Sequence, residues 1–478
     1  MKINKLINVD SQIEIDYLSE DNRDIKENTM FFCLKGANFD GHQAIEQVVK
    51  QGAKAIVHSD DIENKIDGII YHKVDDVLLS MASIATKFYN NPGDTLNMIG
   101  ITGTNGKTTT AWLLYDILNK LSSCGYIGTI AIEFNNKEYH NLYTTPKPIE
   151  LNYYLAEMVE DKVKYCALEV SSHALVQHRA ACIDMKYGIM TNLTFEHVNF
   201  HGSMEEYALA KGILFENLSS EAHAILNIDD ITYDDYAKKT DAKVFSYGVN
   251  QKADMNAKDI VIEPNKTSFT LVVDNKEYNV ETNLVAMFNV YNLMACLSVL
   301  YLEGYDMNDI IPLLDKLTYP QGRMEDIDEG QDFKVIVDYA HTPDGFEKVF
   351  EYAQTIVSNR VISVFGSAGG DRDREKRPIL GELAEKYSDC ILLTQEDNRT
   401  ESVESVARSI ASGIKNKSYE IIEKREQAII DAIDMAQSGD VILILGKAND
   451  KYNVVGNEPI PYEGDIDLSR RLLKERNK

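Results

Sequence analysis

Short apolar runs that end in polar residues recur along the chain and alternate with stretches of helical spacing. The run "LNMIGIT" precedes a glycine-rich turn and a helical stretch from Thr109 to about Leu121. The runs "YCALEV", "YGIMTNL" and "AHAILNI" follow, and each ends in polar residues. Parallel strands produce this pattern when ligands bind at their carboxyl ends. The sequence therefore predicts an α/β protein with a mainly parallel, doubly wound sheet.

Breaks in this pattern predict three domains. Asn90–Thr95 contains a Pro-Gly pair and is typical of a linker. After "YPQGRMED", strand, loop and helix patterns begin to repeat, as in "KVIVDYAHTPDGFEKVFEYAQTI" and "RVISVFGSAGGDRDREKRPILGELAEKY". We expect a small α/β domain over 1–95, a central α/β domain over 96–322 and a C-terminal βα domain over 323–478.

The turn that follows "LNMIGIT" has the composition of a phosphate-binding loop. It reads Gly-Thr-Asn-Gly-Lys-Thr from Gly103 to Thr108, and glycines allow backbone N–H groups and a helix N-terminus to face an anion. Lys107 would reach the outer phosphates of a nucleotide, and the Thr108 hydroxyl would bind Mg²⁺. Ile101 stands where a strict P-loop has glycine, so this loop is a variant. A glycine-rich turn without a ligand is the alternative to nucleotide binding.

Polar residues after two other apolar runs could complete a metal site beside this loop. Glu169 and His197 each follow such a run, and a carboxylate at a strand end is a natural ligand for a hard cation. Lys211 lies in the next predicted helix, which Ser203-x-x-Glu206 would start as a capping box. The alternatives are a surface salt bridge for Glu169, a structural loop histidine for His197 and a solvated lysine for Lys211.

Composition excludes some classes of partner. The 478 residues carry a formal net charge of −27, which disfavours nucleic acid because phosphate backbones bind basic surfaces. No apolar run is long enough to span a bilayer and the N-terminus lacks an apolar signal region, so we expect no membrane insertion. The six cysteines are scattered without CxxC spacing, which fits a reducing, cytoplasmic location.

Motifs along essentially the whole chain resemble those of the Mur ligases of peptidoglycan synthesis, in the same order. They include "DNRDIKENTMFFCLKGANFDGH", "TGTNGKTTT", "TTPKP", "EVSSHALVQHR", "NLTFEHVNFHGSMEEYALAKG", "FNVYN", "GRMED", "VDYAHTPD", "FGSAGGDRDREKRP" and "GKANDKY". The chain most resembles the members that add the third residue of the peptide. The resemblance implies a UDP-binding first domain, a P-loop ATPase in the centre and a Rossmann-like C-terminal domain that brings the amino acid.

The resemblance also implies the reaction and its cofactors, ATP and Mg²⁺. ATP phosphorylates the D-glutamate γ-carboxylate of UDP-MurNAc-L-Ala-D-Glu, and an amine then attacks the acyl phosphate. We expect a monomer with small-molecule substrates only. The residues implied at ATP are Gly103, Thr104, Asn105, Gly106, Lys107, Thr108, Thr109, Asn289, Asn292, Arg323, Asp338 and His341. Those implied at the UDP-sugar peptide are Asn22, Thr144, Thr145, Ser171, Gln177 and Arg179.

Catalysis and metal binding are implied for a smaller set of residues. Thr108, Glu169 and His197 resemble the metal ligands, and Lys107 serves the phosphates. Lys211 matches a lysine that the family carries as a carbamate, N6-carboxylysine, which converts a cation into an anionic metal ligand. One departure lies in the first domain, where the family usually has Asp-Ser-Arg and this chain has Asp21-Asn22-Arg23.

The third amino acid is read in the family by a C-terminal loop that departs from the usual pattern here. Enzymes using meso-diaminopimelate typically have Asp-Asn-Pro-Arg, whereas this chain has Glu396-Asp397-Asn398-Arg399. The usual Gly-Lys-Gly-His-Glu is replaced by Gly-Lys-Ala-Asn-Asp from Gly446. More carboxylates would attract the ammonium of L-lysine, so we predict L-lysine, with meso-diaminopimelate as the alternative. The residues expected at the amino acid are Arg372, Glu396, Asp397, Arg399, Gly446 and Asp450.

Two other functions compete with this one. Folylpolyglutamate synthetases are related ligases, but they lack a UDP-binding domain such as the one that residues 1–95 resemble. A nucleotide-gated regulatory protein could keep the phosphate loop after losing the chemistry. Glu169, His197 and Lys211 are all present, which favours an active ligase.

Overall fold

A four-stranded parallel sheet occupies the first domain of the computed structural model, which describes residues 1–36, 39–370, 372–456 and 458–476. Its strands lie in the order in which they occur along the chain. The Asp76 side chain accepts a hydrogen bond from the Leu79 backbone N–H and so caps the second helix. The elements are β1 (Tyr17–Ser19), β2 (Thr29–Phe32), α1 (Ile45–Gln51), β3 (Ala53–His58), β4 (Ile70–Lys73) and α2 (Val77–Phe88).

The central domain begins with the strand, turn and helix of the phosphate loop. The helix starts at Lys107, two residues before the predicted start. The elements up to the middle of the domain are β5 (Asn97–Thr102), α3 (Lys107–Leu121), β6 (Cys124–Ile127), β7 (Ile132–Phe134), β8 (Lys137–Tyr139), α4 (Pro148–Glu160), β9 (Tyr165–Glu169), α5 (Ser172–Val176), β10 (Tyr187–Met190) and α6 (Val198–His201). The remaining ones are α7 (Met204–Glu216), β11 (His223–Asn227), α8 (Tyr233–Lys239), β12 (Lys243–Gly248), β13 (Met255–Ile262), β14 (Thr267–Val273), β15 (Lys276–Thr282), α9 (Met287–Leu302) and α10 (Met307–Ile310).

These strands form one sheet of eleven, in the order β15-β14-β13-β12-β11-β10-β5-β9-β6-β7-β8. The run from β13 to β6 is parallel, and antiparallel strands extend it at both ends. Later strands therefore add on both sides of β5, which places the phosphate loop at a topological switch point, where α/β sheets bind ligands. The mainly parallel sheet is confirmed. The predicted capping box is also present, because Ser203 Oγ accepts from the Glu206 N–H at 3.1 Å.

The C-terminal domain has a six-stranded sheet in the order β16-β17-β21-β18-β19-β20, parallel except for β16. The carboxyl ends of β17, β18, β19 and β21 all face the central domain's phosphate loop across the site described below. The elements are β16 (Glu325–Asp326), β17 (Lys334–Asp338), α11 (Pro343–Ile356), β18 (Val361–Phe365), α12 (Lys376–Tyr387), β19 (Cys390–Thr394), α13 (Val403–Ala411), β20 (Glu420–Ile422), α14 (Arg425–Met435), β21 (Val441–Leu445), β22 (Tyr452–Val455), β23 (Glu458–Pro461) and α15 (Asp465–Arg476).

Apolar side chains pack on both faces of the central and C-terminal sheets, as buried parallel strands require. All five residues of β21 are buried, and so are those of β9 up to Glu169. Among the described residues, every helix is too short or too polar to span a bilayer.

Candidate active site

The phosphate loop is held open by two glycines whose backbone conformation other residues rarely adopt. Gly103 has φ 145° and Gly106 has φ 88°. A Cβ on Gly103 would lie 1.8 Å from Thr191 Oγ1, and one on Gly106 would lie 2.5 Å from Asn292 Oδ1. Both positions therefore require glycine. The Lys107 ammonium folds over the loop and donates to the Gly103 and Thr104 carbonyls at 2.8 Å each.

Glu169 lies at the end of β9, fully buried, directly against the first helical turn after the loop. Its Oε1 accepts from Tyr126 Oη at 2.7 Å and from the Thr129 N–H at 2.9 Å. Its Oε2 accepts from Thr108 Oγ1 at 2.8 Å and from Thr129 Oγ1 at 3.2 Å. The surface salt bridge considered for this residue is therefore wrong. Thr108 and Glu169 instead form a pair of hard oxygen donors, the type that Mg²⁺ prefers.

Lys211 is buried behind the loop, with 1% of its surface exposed, so the solvated lysine considered as its alternative is wrong. Its Nζ donates to the Gly103 carbonyl at 2.7 Å and lies 4.4 Å from the centre of the Tyr207 ring. Burial and the nearby charge of Lys107 hold the pKa of Lys211 well below that of a free lysine.

His197 lies in the loop after β10 with φ 57°, a left-handed backbone conformation. Its Nε2 lies 3.4 Å from Glu196 Oε2, and burial lowers the pKa of His197 to about 3 against the attraction of that carboxylate. The structure therefore pairs His197 with Glu196, whereas Glu169 bonds to Thr108. Burial would raise the pKa of Glu196, but His341 and His197 hold it well below its usual range.

A cavity of about 560 Å³ opens between the loop and the C-terminal domain. Asn289 and Asn292, on the first turns of α9, are joined by a hydrogen bond of 3.1 Å. Asp338, at the end of β17, accepts from the Met324 and Ala340 N–H groups at 2.7 Å each, and burial raises its pKa. The predicted ATP residues that line this cavity are Asn105, Gly106, Thr109, Asn289, Asn292, Arg323 and Asp338.

The residues expected at the UDP-sugar peptide form a polar cluster beside Glu169, with one exception. Thr145 Oγ1 donates to the Glu169 carbonyl at 2.7 Å, and Arg179 Nη1 donates to the Thr145 carbonyl at 2.8 Å. Gln177 accepts from Arg179 at 2.7 Å. Ser171 and Thr144 belong to the same cluster through bonds to Thr145 and Thr129. The exception, Asn22, lies in the first domain, with its side chain near Gln47 at 3.5 Å.

A second cavity, of about 310 Å³, joins the phosphate loop to the predicted amino-acid residues. It is lined by Lys107, Thr108 and Glu169 on one side and by the ends of β19 and β21 on the other. The predicted ATP contact His341 also lines it. All six residues expected at the amino acid line this cavity: Arg372, Glu396, Asp397, Arg399, Gly446 and Asp450.

The charge balance of this cavity corrects the argument for an anionic pocket. Lys447 is buried, and its Nζ lies 2.8 Å from Asp397 Oδ1 and 3.4 Å from Asp450 Oδ2. Two of the three carboxylates that were expected to attract an ammonium therefore already face one. Arg372 and Arg399 add further positive charge to the lining. The prediction counted only the acidic residues of these motifs. It overstated the anionic character of the cavity because it omitted Lys447, which contacts both Asp397 and Asp450.

Sequence reasoning also missed two contacts that join the central and C-terminal domains across the site. His341 Nε2 lies 3.0 Å from Glu196 Oε1. Asn105 Nδ2 donates to Asp344 Oδ2, on α11, at 2.7 Å. His341 and Asp344 stand in the quoted motif "VDYAHTPD", but no spacing in the sequence indicates which residues of the other domain they meet.

Comparisons with known proteins agree with this architecture. The chain matches the models of the "Mur ligase family, catalytic domain" over residues 14–89, the "Mur ligase middle domain" over 101–300 and the "Mur ligase, glutamate ligase domain" over 322–448. It is 38% identical to "UDP-N-acetylmuramoyl-L-alanyl-D-glutamate--2,6-diaminopimelate ligase 1" of Clostridium acetobutylicum, covering 98% of this chain and 97% of that protein.

Solved structures show the same fold over nearly the full length. A UDP-N-acetylmuramoyl-L-alanyl-D-glutamate--2,6-diaminopimelate ligase is 27% identical, with a TM-score of 0.71 over 100% of this chain and 99% of that one. The MurF ligase of Thermotoga maritima, solved in complex with ADP, is 19% identical, with a TM-score of 0.66 over 96% and 98%. The three matched domains and the full-length relatives together show that the chain belongs to the Mur ligase family.

Proposed function

We propose that this protein is an ATP-dependent ligase that joins meso-diaminopimelate to the D-glutamate γ-carboxylate of UDP-MurNAc-L-Ala-D-Glu. The names of its relatives favour diaminopimelate over the predicted L-lysine. The charge balance around Lys447 removes the main argument for L-lysine. A cytoplasmic location and a monomeric state remain predictions of this proposal.

The 310 Å³ cavity is the observation that carries the proposal, because it joins the two halves of a ligase site. The phosphate-binding Lys107 and the buried Glu169 line one side of it, and Arg372 and Arg399 line the other. An acyl phosphate formed beside Lys107 would therefore lie within reach of an amino acid held by the arginines. Holding the two reactants in one site in the right orientation lowers the barrier to their reaction.

The residues beside the loop fit the chemistry of phosphoryl transfer. Lys107 would neutralise charge on the transferred phosphoryl group, where two anions must approach each other. Thr108 and Glu169 offer the oxygen donors that Mg²⁺ requires, and we propose that they hold it. When bound, Mg²⁺ would supply further charge neutralisation at the phosphoryl oxygens. His197 and Lys211 remain proposed ligands.

Lys211 is suited to carry a carbamate. Its lowered pKa favours the neutral amine, which reacts with CO₂ and releases one proton, and the product would be an anion within the reach of Lys107. That modification would place a negative charge beside the Lys107 ammonium, and the two charges attract each other. We therefore propose N6-carboxylysine at Lys211.

Phosphate release with separate amino acids tests the proposed function. Purified enzyme is supplied with UDP-MurNAc-L-Ala-D-Glu, ATP and Mg²⁺, and either meso-diaminopimelate or L-lysine. We expect release with meso-diaminopimelate at a kcat/KM well above that with L-lysine. Phosphate release with L-lysine alone would contradict the proposed specificity for meso-diaminopimelate and support the L-lysine that the sequence predicted. An absence of release with both would contradict the ligase itself.

A further inference from the structure

We propose that Lys447 is a specificity-determining residue, which sets the charge of the amino-acid end of the cavity through its ion pairs with Asp397 and Asp450. This inference rests on the proposed function, since it names the feature of that site that selects the amino acid. Lys447 is the second residue of the motif "GKAND", which begins at Gly446.

Lys447 is positioned as a fixed internal countercharge. It follows Gly446 directly after β21, and 1% of its side chain is exposed. The partners are more open: 20% of the Asp397 side chain and 27% of the Asp450 side chain are exposed. All three residues line the 310 Å³ cavity, and the two aspartate side chains are more exposed than the lysine side chain.

The position of Asp397 is fixed by a further contact. Its Oδ1 accepts from the Val454 N–H at 2.9 Å as well as from Lys447. The same strand, β22, accepts a hydrogen bond from the Arg399 N–H at the Val454 carbonyl, at 3.0 Å. Asp397 and Arg399 are therefore both hydrogen-bonded to β22. These bonds fix the positions of their two charges relative to each other.

Charge counting shows what Lys447 changes. With one ammonium and two carboxylates, the Lys447–Asp397–Asp450 group has a net charge of −1. Without the lysine it would be −2, and a ligand carboxylate would be repelled while a ligand ammonium would be attracted. Burial raises the pKa of Asp450, and the charge of Lys447 opposes that rise.

The far end of meso-diaminopimelate carries both an ammonium and a carboxylate, whereas that of L-lysine carries an ammonium alone. A less negative group tolerates the extra carboxylate, and a more negative group favours the bare ammonium. Arg399 can receive that carboxylate, because it lines the cavity and its Nε has no hydrogen-bond partner among the residues that the structure describes.

Two variants with opposite charge changes test the inference. The measured quantity is the ratio of kcat/KM for meso-diaminopimelate to kcat/KM for L-lysine. Lys447→Met makes the group more negative, and we expect the ratio to fall about tenfold. Asp450→Asn makes it less negative, and we expect the ratio to rise. The double variant restores the net charge of −1, so its ratio should return towards that of the wild type.

A purely structural role would give a different result. Disturbed packing lowers kcat/KM for both amino acids together and leaves their ratio unchanged, which would overturn the inference. If Lys447→Met does not fold, the test rests on Asp450→Asn alone. An unchanged or lower ratio of the two kcat/KM values in that folded variant would overturn the inference. Wild-type enzyme inactive with both amino acids would refute the proposed function, whereas an active wild type with unresponsive variants would refute only the role of Lys447.

Discussion

Buried ionisable side chains surround the phosphate loop, and their partners determine what each can do. Glu169 accepts four hydrogen bonds, from Tyr126, Thr108 and both polar groups of Thr129, which stabilise its charge without water. Among the residues that the structure describes, the Gly103 carbonyl is the single hydrogen-bond acceptor of Lys211. Burial with so little compensation lowers the pKa of Lys211, which favours the neutral amine.

Replacing Lys211 by alanine should abolish ligation while ATP still binds. The proposed carbamate would be lost, but the phosphate loop and Lys107 would remain. We expect phosphate release to fall by about 100-fold or more and to recover in part with added short-chain carboxylates, which can occupy the vacated space. Lys238→Ala, at an exposed position on α8, is the matched control. Full activity of Lys211→Ala would exclude this role.

His58 should make folding stability depend on pH. It lies at the end of β3 with 2% exposure, its Nδ1 donates to the Asp60 carbonyl at 2.8 Å, and burial lowers its pKa. In the unfolded chain, His58 is protonated as the pH falls through about 6.5, whereas in the folded protein it is protonated only at lower pH. The free energy of unfolding therefore falls as the pH drops below about 6.5. His58→Asn keeps a donor and removes this titration.

Urea unfolding at pH 7, 6 and 5 measures the effect of His58. Over that range, the wild type should lose up to about 1.4 kcal/mol per pH unit more than His58→Asn. The exposed His140→Asn serves as control and should retain the wild-type slope. Parallel slopes for wild type and His58→Asn would show that His58 is not responsible.

At the scale of elements, the strand–turn–helix unit from β5 to α3 depends on Gly103. Its φ of 145° and the 1.8 Å between an added Cβ and Thr191 Oγ1 leave no room for a side chain. Gly103→Ala should therefore abolish ATP binding, measured by calorimetry. Gly304 has a positive φ of 82°, but none of the described residues would lie within 4 Å of an added Cβ, so Gly304→Ala should cost about 1–2 kcal/mol in stability and leave ATP binding intact. Equal ATP affinity in both variants would contradict the steric argument.

Elements of the site were predictable where a local pattern determines them. Apolar runs ending at Thr102 and Glu169 indicated parallel strands, and parallel strands that meet at one edge bring the loop and the carboxylate together. The contact between Thr108 and Glu169 follows from that arrangement. The antiparallel strands β7, β8, β14 and β15 were not predicted, because hairpins at the sheet edges leave the central pattern unchanged.

At the scale of the whole molecule, the decisive contacts join residues far apart in the sequence. Asn105 meets Asp344, and Glu196 meets His341. Each depends on how the C-terminal domain packs against the central one, which no periodicity determines. The pairing of Lys447 with Asp397 depends instead on the folded C-terminal sheet, in which β18 lies between β19 and β21. The amino-acid specificity was therefore the least predictable property.

Asp344→Ala should weaken the closed arrangement of these two domains. Asp344 accepts from Asn105 of the phosphate loop, and losing that bond removes one of the two contacts described above between the C-terminal and central domains. Because imprecise positioning slows the attack of the amine, we expect kcat/KM for the amino acid to fall about tenfold or more while the central domain still binds ATP. Glu347 lies on the same helix as Asp344, and Glu347→Ala, which removes an ion pair with Lys386 on α12, is the control. X-ray scattering with nucleotide bound should give a larger radius of gyration for Asp344→Ala than for the control. Equal radii and equal kcat/KM in the two variants would show that this bond does not hold the domains together.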